Sequence, residues 1–298
     1  MRRPQKITTA QPHMEGAGVL VHRAFGFGDT KPFDPFLLFD DFRNDDPQKY
    51  RNGFPWHPHR GIETISYVLE GTVSHEDSLG NRGSIGPGDL QWMTAGRGIL
   101  HQEIPLGNPQ GKMHGFQLWA NLPARQKMTK PRYQDIRARD IETVVDDDGT
   151  SVRILCGGFM GKQGPVQGLA ANPHYLDISL PPETSRSIAI ETTRHAFAYI
   201  IAGSVHFRDA SDPRPVQTQN PVNSRSTTQQ FNGNRSLILF DQGDSIAVES
   251  GHEGGRFLLV SGEPLNEPVA WRGPVVMNTQ TELDQAWREL RNGTFITE

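Results

Sequence analysis

Ile65-Ser-Tyr-Val-Leu-Glu-Gly71-Thr-Val73 is matched, at an offset of 132 residues, by Ala198-Tyr-Ile-Ile-Ala-Gly203-Ser-Val205. Each is a short β-branched and aromatic run that breaks on a glycine turn, the signature of a strand entering a hairpin. Two further pairs keep the same order. Gly86-Pro-Gly-Asp89 is echoed by Asp241-Gln-Gly-Asp244, and Phe116-Gln-Leu-Trp-Ala-Asn-Leu-Pro123 by Phe257-Leu-Leu-Val-Ser-Gly-Glu-Pro264. A strand, a glycine turn, a Gly-Asp turn and a closing strand, met twice in one order, predict two copies of one β-unit. The boundary is placed near residue 135, giving units 1–134 and 135–298.

Other strand signals lie at Gly18–His22, Thr64–Leu69, Phe116–Trp119, His195–Ile201, Ser236–Phe240 and Arg256–Val260. With 31 Gly and 22 Pro to supply turns, the class is all-β, a sandwich or barrel repeated once. The stretch Asp209–Arg235, rich in Pro, Gln, Asn, Ser and Thr, reads as a long loop inside the second unit. One short helix is expected at the C-terminus. Thr279 and Glu282 fit a capping box, Leu283, Ala286, Trp287 and Leu290 form an apolar stripe, and Gly293 supplies a left-handed stop. The stripe, anchored by Trp287, should pack on a sheet.

Composition excludes several classes. The single cysteine, Cys156, rules out an intramolecular disulfide framework and any cysteine-rich metal site. Thirty Lys and Arg against 34 Asp and Glu give a net charge of −4, with no basic footprint for direct nucleic-acid contact. No apolar run approaches the ~18 residues of a spanning helix. The first residues, MRRPQKITTAQPHMEG, lack the apolar centre of a secretory signal. A cytoplasmic protein that does not enter membranes is expected, with a nuclear location open for a eukaryotic source.

The chemistry concentrates in Gly53-Phe-Pro-Trp-His57-Pro-His59-Arg60-Gly61 and His101-Gln-Glu103. Residues two apart on a strand share a face. His57 and His59 can therefore converge, and so can His101 and Glu103. If the two strands are neighbours, three imidazoles and a carboxylate meet. Pro58 cannot donate to a ladder and places the first pair at a strand start or edge. Taken alone, a His-x-His is usually incidental; the second pair after the turn Thr94–Leu100 is what favours a metal. His75 and His114 read as surface groups or as supports for ligands. Phe54, Trp56 and Trp92 suit either the wall of a flat aromatic pocket or ordinary barrel packing, with packing favoured.

His-x-His, a glycine turn and a downstream His together resemble the cupin pattern, in which a glutamate four positions after the second His, here Glu63, commonly serves as a ligand. A closer resemblance is to the pirin family. It is carried by Phe36–Phe42, His57–Gly61, Tyr67–Gly71, Asp77–Asn81, Gly86–Asp89, Gln91–Gly98, His101–Glu103, Pro264–Pro268 and Gly273–Thr279, nearly the whole chain. The resemblance implies two tandem cupin domains of the jelly-roll type with one divalent transition metal in the first. Fe(II) is the expected ion; Zn, Mn, Ni, Cu and Co also suit such ligands. It implies His57, His59, His101 and Glu103 as the ligands and makes Glu63 a neighbour. In the second copy Ala189 and Glu191 stand where His57 and His59 would be, and His252 or Arg256 near the later turn, so that unit should lack metal ligands and buttress the first.

The same resemblance implies an activity like that of quercetin 2,3-dioxygenases. The substrates would be a small aromatic flavonol and dioxygen, with Glu103 as the catalytic base for the 3-hydroxyl. The competing implication is a redox-sensitive regulator acting through a protein partner, and a third is an unrelated metal-dependent enzyme such as an isomerase. A monomer is expected.

Overall fold

The computed structural model describes residues 1–166, 169–208 and 231–296. Most of the polar loop expected at Asp209–Arg235 lies outside the described residues. The first half contributes strands β1 (Pro4–Thr9), β2 (Gln11–Glu15), β3 (Val19–Phe25), β4 (Phe36–Asp41), β5 (Phe54–His59) and β6 (Ile62–Glu70). It continues with β7 (Thr72–Asp77), β8 (Arg82–Ile85), β9 (Leu90–Thr94), β10 (Ile99–Leu106), β11 (His114–Asn121) and β12 (Arg132–Ile136). A seven-stranded sheet in the order β12-β9-β6-β11-β4-β3-β2 faces a four-stranded sheet in the order β5-β10-β7-β8. Val19, Val21 and Val68 of the first meet Val73 and Ile85 of the second in one apolar cluster, the filling of an antiparallel sandwich.

The second half contributes eight strands of a nine-stranded sheet, which β1 completes, built on two long strands, His195–Phe207 and Ser245–Gly262. These pair over most of their length through two register shifts, at Ile200/Ala202 and Gly203/Val205. The shifts bend the pair so that its two ends belong to opposite walls. Ala196, Ala198, Ile200, Val205, Phe257 and Leu259 fill the interior. The described residues are all-β apart from short helical turns and the C-terminal helix.

The largest apolar cluster lies between the two halves. Along β6, Ile65 and Tyr67 join it, whereas Val68 faces the first sandwich. Along the equivalent strand, Phe197, Tyr199 and Ile201 join it, whereas Ala196, Ala198 and Ile200 face the second. Strands covered on both faces read as continuous apolar runs, which is why the repeated stretch does not alternate. Polar groups lock the contact reciprocally. Tyr67 Oη donates to Asp177 Oδ2 (2.7 Å), which Arg256 Nη2 holds from the other side (2.6 Å). Tyr199 Oη donates to Asp41 Oδ2 (2.8 Å), which Arg43 Nη2 holds in the same way (2.6 Å).

The chain ends cross over. β1 pairs with Ser236–Phe240 of the second sheet. At the other end, Val275 bridges to Arg60, immediately after β5. The helix Gln280–Asn292 has the expected capping box at Thr279 and Glu282 and a left-handed Gly293 (φ 70°). Its stripe packs on the hairpin Ala270–Arg272/Val275–Met277 and on Phe295 rather than on a main sheet. The buried anchors are Leu283 and Ala286; Trp287 is only partly buried, beneath the Arg272 guanidinium (5.0 Å).

Candidate metal centre

β5 and β10 are antiparallel neighbours, with His101 opposite His57 and Ile99 opposite His59. A bulge between His101 and Glu103 then sets Glu103 opposite Phe54. β10 alternates as a strand should, with His101, Glu103 and Pro105 buried between half-exposed neighbours. The ring centres of His57, His59 and His101 are 4.9, 4.2 and 4.9 Å apart in the three pairings 57–59, 57–101 and 59–101. Ligand atoms of this trio all lie within 4.8 Å of one another, and so do those of His75, His101 and Glu103. His101 is shared by both groups.

Hydrogen bonds aim the rings. His57 Nδ1 faces Pro55 O (2.8 Å) and His59 Nδ1 faces Pro274 O (3.2 Å). A ring nitrogen facing a carbonyl must carry the proton, which leaves each Nε2 with its lone pair. Burial, reinforced by the neighbouring imidazoles, holds the pKa of His59 and of His101 well below the usual histidine value. Both rings are thus neutral, the form that can bind a cation. Glu103 accepts from Ser66 Oγ at Oε1 (3.2 Å) and from Gln117 Nε2 at Oε2 (3.1 Å), and Gln117 accepts in turn from Trp119 Nε1 (3.1 Å).

The donor set fits a metal ion on one decisive point. His101 is fully buried, and neither of its ring nitrogens has a hydrogen-bond partner. Leaving such atoms unpaired costs about 1–3 kcal/mol each. An ion between the imidazoles gives one of them a partner.

The turn after β5 is equally constrained. Gly61 has φ +79°, and a Cβ there would lie 1.9 Å from Val276 O. Lys127 Nζ, buried, donates to Gly61 O (2.8 Å) and to Val276 O (3.0 Å), tying this turn to the C-terminal hairpin. A cavity of about 540 Å³ opens over His57 and His59, walled by Phe54, Trp119 and Trp271, with the Arg23–Asp40 ion pair at its side.

The other residues singled out in the sequence fall elsewhere. Glu63 accepts from Thr94 Oγ1 (2.7 Å) and shares its face of β6 with Ile65 and Tyr67, so it looks toward the second domain and not into the sandwich. The turn at Gly61 breaks the parity with His57 and His59. Of the three aromatic residues weighed between pocket and packing, Phe54 lines the cavity, Trp92 is packed between the domains and Trp56 is about half exposed. His114 pairs with Asp45 (2.6 Å) away from the centre. His75 is not a surface group: it is buried beside His101. In the second half, His252 is exposed beside Glu253, and Arg256 is engaged with Asp177. Trp271 and Pro274 were not singled out, since nothing local in the tail announces that it returns to β5.

Among the described residues no helix is long and apolar enough to cross a membrane. Residues 18–120 match the pirin family and residues 175–296 match the pirin C-terminal cupin domain. A pirin-like protein of Caulobacter vibrioides is 40% identical over 291 residues, covering 97% of this chain and 98% of that protein. Pirin of Homo sapiens is 40% identical over 280 residues, covering 93% and 88%. The crystal structure of a quercetin 2,3-dioxygenase from Acinetobacter baumannii superposes with a TM-score of 0.84 at 29% identity, covering 99% of this chain and 98% of that one. Two cupin domains, a histidine and glutamate cluster in the first of them, and likeness along the whole length lead to one statement: this chain belongs to the pirin family.

Proposed function

We propose that this protein is a metal-dependent dioxygenase that opens the heterocycle of a flavonol of the quercetin type, with His57, His59, His101 and Glu103 as the metal ligands. The observation that supports the reading is the convergence of the ligand atoms of His57, His59 and His101 within 4.8 Å of one another, with His57 and His59 facing an aromatic-walled cavity. The likeness to a protein named quercetin 2,3-dioxygenase supports it. A bound divalent ion, Fe(II) or another of the first row, would polarise the substrate's 3-oxygen and supply a path for electrons to dioxygen.

The protein's own groups do the rest. Phe54, Trp119 and Trp271 offer flat apolar surface to planar rings, and their bulk keeps water from the floor of the cavity. Glu103 accepts the proton of the 3-hydroxyl. Ser66 and Gln117 hold its carboxylate in place without neutralising it, so a lone pair remains for the transfer. In the balanced reaction one flavonol and one dioxygen give one ester and one carbon monoxide. C3 leaves with its oxygen, the two atoms of dioxygen end on C2 and C4, and Glu103 returns its proton to the new carboxyl group.

The test is quercetin consumption and carbon monoxide release by protein loaded separately with Fe, Mn, Co, Ni, Cu and Zn. Glu103→Gln, which cannot take the proton, should fall by about 10²–10⁴-fold in kcat. No turnover by the wild type with any of these ions overturns the assignment and leaves the regulator reading in its place.

A further inference from the structure

We propose that His75 is a positioning residue of the metal centre, accepting the ring N–H of His101 while Asp77 holds it from behind. Asp77, His75 and His101 then form one hydrogen-bonded line that ends at the ion. The inference rests on His101 being a ligand and not on the dioxygenase reaction.

His75 and Asp77 lie on β7, paired with β10 so that Asp77 stands opposite His101 and His75 opposite Glu103. Both side chains are fully buried, and His75 Nε2 is 3.4 Å from Asp77 Oδ2. Asp77 accepts from the backbone N–H of Leu79 (2.9 Å) and Asn81 (3.0 Å) and from Asn81 Nδ2 (2.8 Å). A carboxylate so surrounded by donors is an acceptor only, so the His75 nitrogen that faces it carries the proton. Nδ1 is then the ring's candidate acceptor. That atom is buried and has no partner.

His101 presents the complementary need. A ligating imidazole uses one nitrogen's lone pair and keeps one N–H, and here both ring nitrogens are buried and without partners. The lone pair serves the ion; the N–H needs an acceptor. The His75 and His101 ring centres are 5.2 Å apart, and atoms of the two rings come within 4.8 Å. Two imidazoles joined by one N–H···N bond have centres about 5 Å apart, the donor–acceptor length of about 3 Å plus two ring radii. Nor is His75 free to support Glu103 instead, because a lone pair cannot donate to a carboxylate. Tyr133 lies over the His75 ring at 4.5 Å and spends its own hydroxyl proton on Asp135 Oδ1 (2.7 Å), so it fixes the plane without competing for Nδ1. An acceptor behind a ligating imidazole raises that ligand's basicity and fixes its orientation.

The experiment measures zinc affinity by chelator competition and the Fe(III)/Fe(II) potential of the iron-loaded full chain, with apo-protein melting as the control for folding. His75→Phe should weaken zinc binding by about 10–100-fold and raise the potential. His75→Gln, whose amide oxygen can accept the same N–H, should recover most of both. Zinc affinity within twofold of wild type and an unmoved potential in folded His75→Phe overturn the proposal. So does loss of one imidazole from the coordination sphere of the Co(II) form, which would make His75 itself a ligand. If His75→Phe does not fold, Asp77→Asn decides: it leaves His75 in place but removes the group that fixes its tautomer, and wild-type affinity and potential there overturn the line equally.

Discussion

Glu289→Gln tests whether the C-terminal tail is part of the metal centre. Arg60 follows ligand His59 directly, and its guanidinium is almost fully buried. It donates to Arg97 O (2.5 Å), Glu289 Oε2 (2.6 Å) and Phe295 O (3.0 Å), and lies over the Phe295 ring at 4.1 Å. Breaking a fully buried ion pair costs about 3–5 kcal/mol. Here Glu289 is a quarter exposed and Gln keeps an acceptor oxygen, so about 1–2 kcal/mol is expected, a factor of about 5–30. The loss should fall on local opening of the tail, because the helix packs mainly on its own hairpin. When the hairpin lifts, Pro274 O leaves His59 Nδ1 and the ring loses its orientation.

The readouts are amide exchange across Gln280–Asn292 and the rate at which a chelator strips zinc. Both should rise by about 5–30-fold, while exchange in His195–Phe207 stays as in wild type. Faster tail exchange with unchanged zinc release would refute the reasoning, since the tail would then be shown to open without disturbing His59. The pH dependence has a definite sign. Burial raises the Glu289 pKa, but hydrogen bonds from Gln285 and Arg60, and the charge of Arg60, outweigh it and hold it below the ordinary 4.5. A carboxyl depressed in the fold stabilises above its ordinary pKa and loses that contribution as pH falls through the lowered value. Tail opening in the wild type should therefore accelerate only in acid, and Glu289→Gln should lack that limb.

Tyr67→Phe and Tyr199→Phe each remove a donor from a buried aspartate between the domains. Urea unfolding should show a loss of about 1.5–3 kcal/mol for each, the range for hydrogen bonds to charged groups; two losses below about 0.5 kcal/mol would show that the reciprocal pair contributes nothing. Glu63 has its pKa pushed up to about 7 by burial, against the hydrogen bond from Thr94. A raised carboxyl stabilises the fold below its ordinary pKa of 4.5 and loses that contribution as pH rises through about 7. Stability should thus decline between pH 5 and 8 by up to about 3 kcal/mol, and Glu63→Gln should flatten the slope.

The β class, the duplication and the pairing of His57-x-His59 with His101-x-Glu103 were legible because each has a short-range signature: β-branched runs, glycine turns and a spacing of two. The caps of the C-terminal helix were legible for the same reason. What stayed hidden depends on distant chain. An apolar run such as Phe197–Ile201 announces burial but not that alternate residues face different domains. Glu63 matched a ligand spacing, yet the positive-φ turn at Gly61 starts a new strand whose odd positions point the other way. His75 gave no sign of its depth, because its neighbour in space, His101, lies 26 residues along the chain and across a ladder. Trp271 and Pro274 reach the cavity from a tail more than two hundred residues beyond β5.

The same long-range contacts tie the centre in the first domain to the second. The seven-stranded sheet that carries β6 and β11 exposes Phe39, Ile65, Tyr67, Trp92 and Phe116 on its outer face unless another sheet covers them. Fully exposing side chains of this size forfeits about 1.5–3 kcal/mol each, comparable in sum with the whole stability of an ordinary domain. That sheet also supplies Ser66 and Gln117, which hold Glu103. The orientation of His59 comes from Pro274, and the turn behind it is pinned by Lys127 to Val276. Residues 1–134 therefore contain the four proposed ligands and the groups that hold His57 and Glu103, but not Pro274, which orients His59, or Val276, which anchors the turn behind it. Under this arrangement a change in the packing of the second domain or of the tail can disturb the centre without touching any proposed ligand.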